Sequence, residues 1–271
     1  MNESMERLSE DCVSKILSYT SPLDACRFSM VSSSLRSAAD SDLLWLSFFP
    51  SDHTHILSRA LNPLTLVNSS YKHLFRSLCH PLLLDSGNIS FKLDKSSGKK
   101  SYTLSARQLS ITWSHDPLYW SWRPVPESRF KEVAELRTVS WLEIGGKIET
   151  KILSAKTVYG AYLIMKISPR EYGLDGVACE VSVEVGKKVK SGRVFLCRKD
   201  EKKKKKHDDD DDEGIGVPME REDGWMEIEM GEFWSGEGEE EVMMSLMEVG
   251  YKLKGGLIIQ GIEVRPKHFS S

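Results

Sequence analysis

The chain has 271 residues, 40% of them hydrophobic and 28% charged, with a formal net charge of −3. That composition excludes collagen-like, wholly disordered and disulfide-dense classes, and the length leaves room for two domains. The near-neutral total conceals a basic middle, with 20 basic and 12 acidic residues over 86–200, and an acidic end, with 5 and 12 over 214–271. This balance favours charge matching inside a folded body over nucleic-acid binding.

The first residues are polar and acidic where a signal peptide needs a basic and then an apolar run. No apolar run approaches the ~18 residues of a membrane span. The chain is therefore expected to have no membrane partner. The five cysteines are widely spaced and form no C-x-x-C pair. This suits reduced thiols in a cytoplasmic or nuclear protein and predicts no metal site and no cofactor.

From Leu8 to about Phe49 apolar residues recur at helical spacing in short pieces. Leu8, Cys12 or Val13, Ile16 or Leu17, and Thr20 form one stripe. Ser9 is placed to cap that helix, with Glu10 and Asp11 in a first turn where the dipole favours acids. Ser21-Pro22 ends it. A second piece carries Leu23, Cys26 or Arg27, Met30 and Val31, and a third carries Leu35, Ala38 or Ala39, then Leu43 to Trp45. Helices this short need each other or a partner to persist. Over residues 50–85, Ser69-Ser70 opens a further helix with Tyr71, Leu74, Phe75 and Leu78 on one face.

From Ser90 onward the period becomes two. Cys179, Val181, Val183 and Val185 alternate with Glu180, Ser182 and Glu184, and Tyr159, Ala161, Leu163, Met165 and Ile167 share the face of another strand. Further strands are expected at 102–113, 137–144, 193–198, 226–230, 241–249 and 257–264. Strands joined by turns, with no long helices between them, indicate an antiparallel sandwich. The fold class is thus α+β multidomain: a helical head over 1–49, a helical connector over 50–89 and a β-sandwich over 90–271. A charged insertion at about 200–216 interrupts the sandwich. Its lysine run, Lys202 to Lys206, and aspartate run, Asp208 to Asp212, have nothing apolar to bury and read as a solvated loop. A nuclear-import patch or a phosphate contact is the alternative.

No nucleophile elbow, zincin motif, Walker loop or dinucleotide fingerprint is present, so no catalytic residue is assigned. The strongest local signal is aromatic: Trp113-Ser-His-Asp-Pro-Leu-Tyr119-Trp120-Ser-Trp122. Such rings make either a sugar-stacking platform or core filling, since each buries ~150–250 Å². Trp141 and Trp225 sit among strand residues and are expected in the core. Trp234 falls at a loop.

Two resemblances follow from residues as they stand. Leu8-Ser-Glu-Asp-Cys-Val-Ser-Lys-Ile16-Leu17, Ser21-Pro22, Arg27-Phe28, Val31 and Leu44-Trp45 resemble an F-box. Ser9, Thr20, Ala25 and Leu35 stand where that family has other residues. Over about 70–268, Ser105-Ala-Arg-Gln-Leu-Ser-Ile-Thr-Trp113, Pro117-Leu-Tyr-Trp120-Ser-Trp122, Arg221-Glu-Asp-Gly-Trp-Met-Glu-Ile228 and Gly255-Gly-Leu-Ile-Ile-Gln-Gly-Ile-Glu-Val-Arg-Pro266 resemble the phloem protein two lectins related to tobacco agglutinin. Together they are similar to plant F-box proteins of phloem-lectin type.

The resemblance implies a jelly-roll-like lectin sandwich behind an F-box. It further implies a substrate-recognition role in a Skp–cullin–F-box ubiquitin ligase. The adaptor would dock on Leu8, Ile16, Leu17, Pro22, Leu23 and Val31, and catalysis would belong to other subunits. The sandwich would take a protein or glycoprotein target bearing N-acetylglucosamine oligosaccharide, with Trp113 and Trp120 as the sugar-binding pair. The lysine run lies where the tobacco-type lectin also has a lysine-rich loop, which adds weight to nuclear import. The alternative is a lectin-like binding module acting without a ligase.

Overall fold

The computed structural model describes residues 8–62, 70–175, 178–197 and 214–267. The lysine and aspartate runs of the expected insertion lie outside them. The described residues form two compact units. One runs to Ser86 and includes Phe91–Ser101; the other holds Gly87–Ser90 and what is described from Tyr102 on.

Among the described residues, six short α-helices build the first unit: α1 (Glu10–Leu17), α2 (Pro22–Phe28), α3 (Ser33–Asp40), α4 (Asp42–Ser47), α5 (His53–Ser58) and α6 (Tyr71–Leu78), followed by strand β1 (Leu82–Leu84). Serines open the first three. Ser9, Ser21 and Ser32 accept hydrogen bonds from the backbone N–H of Cys12, Asp24 and Leu35, satisfying donors that a helix start leaves unpaired. Pro22 occupies the first turn of α2, where its missing N–H costs nothing. The core joins Val13, Leu17, Ala25, Leu35, Ala38, Ala39 and Leu44, with Phe28 and Phe48 against it. Trp45 extends this core. Its indole N–H donates to Ala39 O at 2.7 Å, and its ring centroid lies 5.3 Å from that of Phe75 on α6. The unit therefore continues past the helical head into the segment set apart by sequence as a connector.

The second unit is built from strands, of which β2 (Ile89–Leu93) and β3 (Lys100–Ser105) are shared between the two units. The rest are β4 (Ser110–Ile111), β5 (Trp120–Arg123), β6 (Val133–Leu136), β7 (Val139–Glu149), β8 (Val158–Tyr172), β9 (Ala178–Val185), β10 (Lys188–Phe195), β11 (Met219–Glu220), β12 (Met226–Trp234) and β13 (Glu241–Pro266). Strand β13 belongs to two sheets. Its first half lies between β9 and β7, with β10 beyond β9 and β4 beyond β7. Its second half pairs with β8 on one side and with β3 and β6 on the other, with β12 beyond β8 and β5 beyond β6. All these ladders are antiparallel. The register breaks between Val249 and Lys254, where β13 leaves one sheet for the other, a common way of turning a sandwich corner.

The two sheets face each other closely. A Cβ on Gly231 would sit 3.0 Å from Val183 of the opposite sheet, and its φ of +149° would strain any other residue, which favours glycine there. Inward residues alternate on β9 as expected: Cys179, Val181, Val183 and Val185 are buried. Strand β8 departs from simple alternation, because Tyr162 and Ile164 on its other face are buried as well. That face is covered by Val133, Trp225 and Ile258, with Val125 packed alongside. Trp225 is thus core, as expected. Trp141 is not: it is 43% exposed. Leu142, Ile144 and Ile148 of β7 take the inward positions, and a pleat places the neighbour at 141 on the opposite face.

Buried charge ties the outer face of the β8 sheet together. Arg221 pairs with Glu227 and with Glu263 (3.0 Å), and Arg265 pairs with Glu227 (2.6 Å). At the corner of β13, Lys254 is buried beside Glu248 and donates to the carbonyls of Ser140 (2.6 Å) and Lys252 (2.9 Å).

Candidate functional site

Each unit presents a candidate surface. On the first, the structure divides the six residues expected to meet the adaptor. Leu8, Ile16, Leu23 and Val31 are exposed, whereas Leu17 is 1% exposed and belongs to the helical core. Pro22 is also buried. These two are corrected from docking residues to packing residues. Leu17 fills the interior beside Val13 and Ala25, and the neighbouring Ile16 takes the solvent side of the same turn. Tyr19, Met30 and Leu43 are strongly exposed too, and sequence reasoning did not assign them. A helical segment that leaves this much apolar surface uncovered is a surface for a partner.

On the second unit, the aromatic segment forms a built loop. Its path is set by a chain of turns: Ser114 N–H to Ile111 O, Asp116 N–H to Trp113 O, and Tyr119 N–H to Asp116 O. Asp116 also accepts from Leu118 N–H at 2.8 Å, a side-chain turn of the kind aspartate favours. Trp113 sits at φ +58°, a conformation that costs a bulky residue of order 1–3 kcal/mol and persists where the surroundings impose it. Its ring is 45% exposed and lies 5.2 Å, centroid to centroid, from the tilted ring of Tyr119.

Trp120 does not join it at the surface. It is 2% exposed, and its indole N–H donates to Thr112 O at 3.0 Å. The expected two-tryptophan platform is corrected accordingly: the exposed ring is Trp113, the half-buried Tyr119 packs beside it, and Trp120 supports the loop from below. Trp122 does the same through Ser114 O at 3.0 Å, with the Arg107 guanidinium 3.6 Å above its ring. The two indoles hold the carbonyls on either side of Trp113, which explains how its strained backbone is kept.

Polar groups border Trp141 and the Trp113 loop. Glu143 Oε2 accepts from Trp141 Nε1 at 3.0 Å and from Thr112 Oγ1 at 3.3 Å, so Trp141 and the Trp113 loop share one carboxylate. Val249, exposed, is the ladder partner of Trp141. Trp113, Tyr119, Trp141 and Glu143 therefore combine apolar ring faces with a carboxylate rim. This arrangement suits stacking and hydrogen bonding better than bond chemistry. The half-buried Cys79 and the buried Cys179 are unsuited to nucleophilic work: desolvation pushes Cys79 up to about 11 and Cys179 up to about 12, where little thiolate forms.

Comparison with known proteins places both units. The F-box domain model matches residues 5–47, and the phloem protein 2 model matches residues 99–266. The chain is 48% identical to F-box protein PP2-B15 of Arabidopsis thaliana, over 96% of each chain. It is 47% identical to F-box protein VBF of the same plant, covering 97% of this chain and 100% of the relative. It is likewise 47% identical to F-box protein PP2-B13, over 97% and 99%. The chain belongs to the phloem protein 2 family, and within it to the members that carry an F-box.

Proposed function

We propose that this protein is a substrate-recognition subunit of a Skp–cullin–F-box ubiquitin ligase. Its F-box docks on the Skp-type adaptor through Leu8, Ile16, Leu23 and Val31, and its sandwich captures a protein or glycoprotein target. The observation that carries the reading is the exposed apolar set on an F-box whose core is already complete without it. Catalysis is left to the other subunits, and this chain contributes proximity by holding target lysines near the charged ubiquitin carrier. Reduced thiols suit work in the cytoplasm or nucleus.

For target capture, Trp113 and Tyr119 offer a shallow stacking surface and Glu143 a hydrogen-bond acceptor beside it. A single ring of N-acetylglucosamine held there would bind near ~1 mM, or ~4 kcal/mol, so oligomers or several copies are needed for retention.

The test is co-expression with a Skp-type adaptor followed by purification through the adaptor. Wild type is expected to co-purify, and Ile16→Asp combined with Val31→Asp is expected to be lost while remaining folded. Retention of that variant would overturn the docking face. Chito-oligosaccharide binding by wild type, lost in Trp113→Ala, is the companion test of the glycan reading. A chain that binds the sugar and ignores the adaptor would instead be a lectin-like module without a ligase.

A further inference from the structure

At the far end of the sandwich from Trp113, the two sheets leave a cleft of about 760 Å³, lined by residues of β9, β10, β12 and the start of β8. The stretch of β7 from Trp141 to Glu149 covers about 26 Å at 3.3 Å per residue, and Glu149 pairs with Glu241 beside this end. The cleft is therefore separate from the aromatic loop. Its floor is apolar, formed by Val158, Val183, Val185 and Phe233, and Trp234 stands at its lip with 53% of its surface exposed.

The rim carries three lysines, Lys187, Lys188 and Lys190, against two glutamates, Glu232 and Glu240, and so keeps a positive excess. Lys188 pairs across the ladder with Val185, leaving a two-residue turn of Gly186 and Lys187. Gly186 adopts φ +57°, the first position of a tight hairpin turn that glycine supplies without strain. That turn lifts Lys187 and Lys188 over the cleft, and neither has an ion-pair partner among the described residues. Lys190, by contrast, is held by Glu232 at 2.7 Å. Lysines along an edge strand guard it against pairing with another chain. That role covers Lys188 and Lys190 but leaves unexplained an exposed indole above an apolar floor.

We infer that this cleft is a second binding site, for a peptide segment in which a bulky apolar side chain is flanked by acidic residues. The apolar side chain enters between Val183, Phe233 and Trp234, and the acids meet Lys187 and Lys188. The volume lies within the ~300–1,000 Å³ range of ligand clefts. A neutral sugar fits less well, since the floor offers no hydrogen-bonding side chains to its hydroxyls. The site adds a peptide-reading element to the target-binding unit and does not depend on adaptor docking.

The experiment titrates the full chain into a fluorescein-labelled, end-blocked peptide Asp-Glu-Phe-Leu-Asp-Glu and follows anisotropy. Saturable binding is expected, weakening with added salt. It should fall by about tenfold or more in Trp234→Ala and similarly in Lys187→Glu combined with Lys188→Glu. The peptide Lys-Arg-Phe-Leu-Lys-Arg is expected not to bind. Adaptor co-purification should be unchanged in both variants, so failure here and failure of the receptor reading are distinguishable. No saturable binding, equal binding of the basic peptide, or affinity unchanged in the lysine variant would overturn the proposal. Displacement of the peptide by an oligogalacturonide at lower concentration than by unlabelled peptide would also overturn it, making the occupant an acidic sugar.

Discussion

Replacing Trp120 tests the reading of the aromatic loop most sharply, because position 120 and position 113 should behave as opposites. Trp120 is 2% exposed and ties its indole N–H to Thr112 O. Truncation to alanine removes a large buried ring and leaves a cavity, a change that costs ~3–5 kcal/mol. For a unit of this size ~1 kcal/mol moves the midpoint by ~2–4 °C, so Trp120→Ala should lower the melting temperature of the sandwich by about 6–20 °C. Trp120→Phe keeps most of the ring but strands the Thr112 carbonyl, a loss of ~1–3 kcal/mol. Trp113→Ala should stay within ~0.5 kcal/mol of wild type. There the exposed ring gives up only its packing on Tyr119, as for most surface changes. Urea and thermal unfolding of the three variants, read by circular dichroism, decide the matter. A Trp120→Ala variant melting within about 2 °C of wild type would refute the support role and restore Trp120 as a surface ring.

On the F-box, Leu17→Asp should unfold the helical unit, because it buries a charge among Val13, Ala25 and Leu44. Ile16→Asp at the next position should leave it folded; equal loss of helical signal in both would contradict the assignment. Burial pushes the Glu227 carboxyl up, but hydrogen bonds and charge from Arg265 and Arg221 outweigh this and hold it below its ordinary value of 4.5. A depressed folded pKa contributes stability that is present above the unfolded value and lost as pH falls through the folded one. Urea stability should therefore decline from about pH 5 downward, and Glu227→Gln should flatten that slope; an unchanged slope would show that the pair does not drive it. Asp223, lowered for related reasons by Arg221 and Arg129 against the opposing effect of burial, should leave a residual slope. At the β13 corner, Lys254→Met strands the buried Glu248 and should cost ~3–5 kcal/mol. Adding Glu248→Leu should recover part of that loss, and no recovery would mean that the carbonyl contacts of Lys254 dominate.

The residues of the helical unit that could be read in sequence are those whose partners lie close along the chain. The cap Ser9 acts within three residues of itself, and Ser21-Pro22 marks the end of one helix by the proline's own covalent geometry, whereas its second role, opening α2, and the cap at Ser32 are seen only in the structure. Ile16 and Leu17 could not be told apart, because two adjacent apolar residues on a short helix both lie near the edge of the apolar face. Only the packing of α3 and α4 selects Leu17. On β9 the alternation is legible because one face meets the core and the other meets solvent. On β8 it fails because Trp225 and Val133, distant in sequence, cover the second face. Trp141 was misread for the same kind of reason, since β7 reveals its inward phase only through Leu142, Ile144 and Ile148 taken together. The aromatic run signalled a site, but which ring faces outward depends on the hydrogen bonds from Trp120 and Trp122 to the loop above them.

The central claim, that the F-box is an adaptor-binding surface, is tested most directly by calorimetric titration of the purified full chain into a Skp-type adaptor at several temperatures. The account predicts one-to-one binding with a negative heat-capacity change from apolar burial, weakened by at least about tenfold in Ile16→Asp. It predicts no change in Trp113→Ala. Absence of binding heat at all temperatures, or an affinity indifferent to Ile16→Asp, would contradict it.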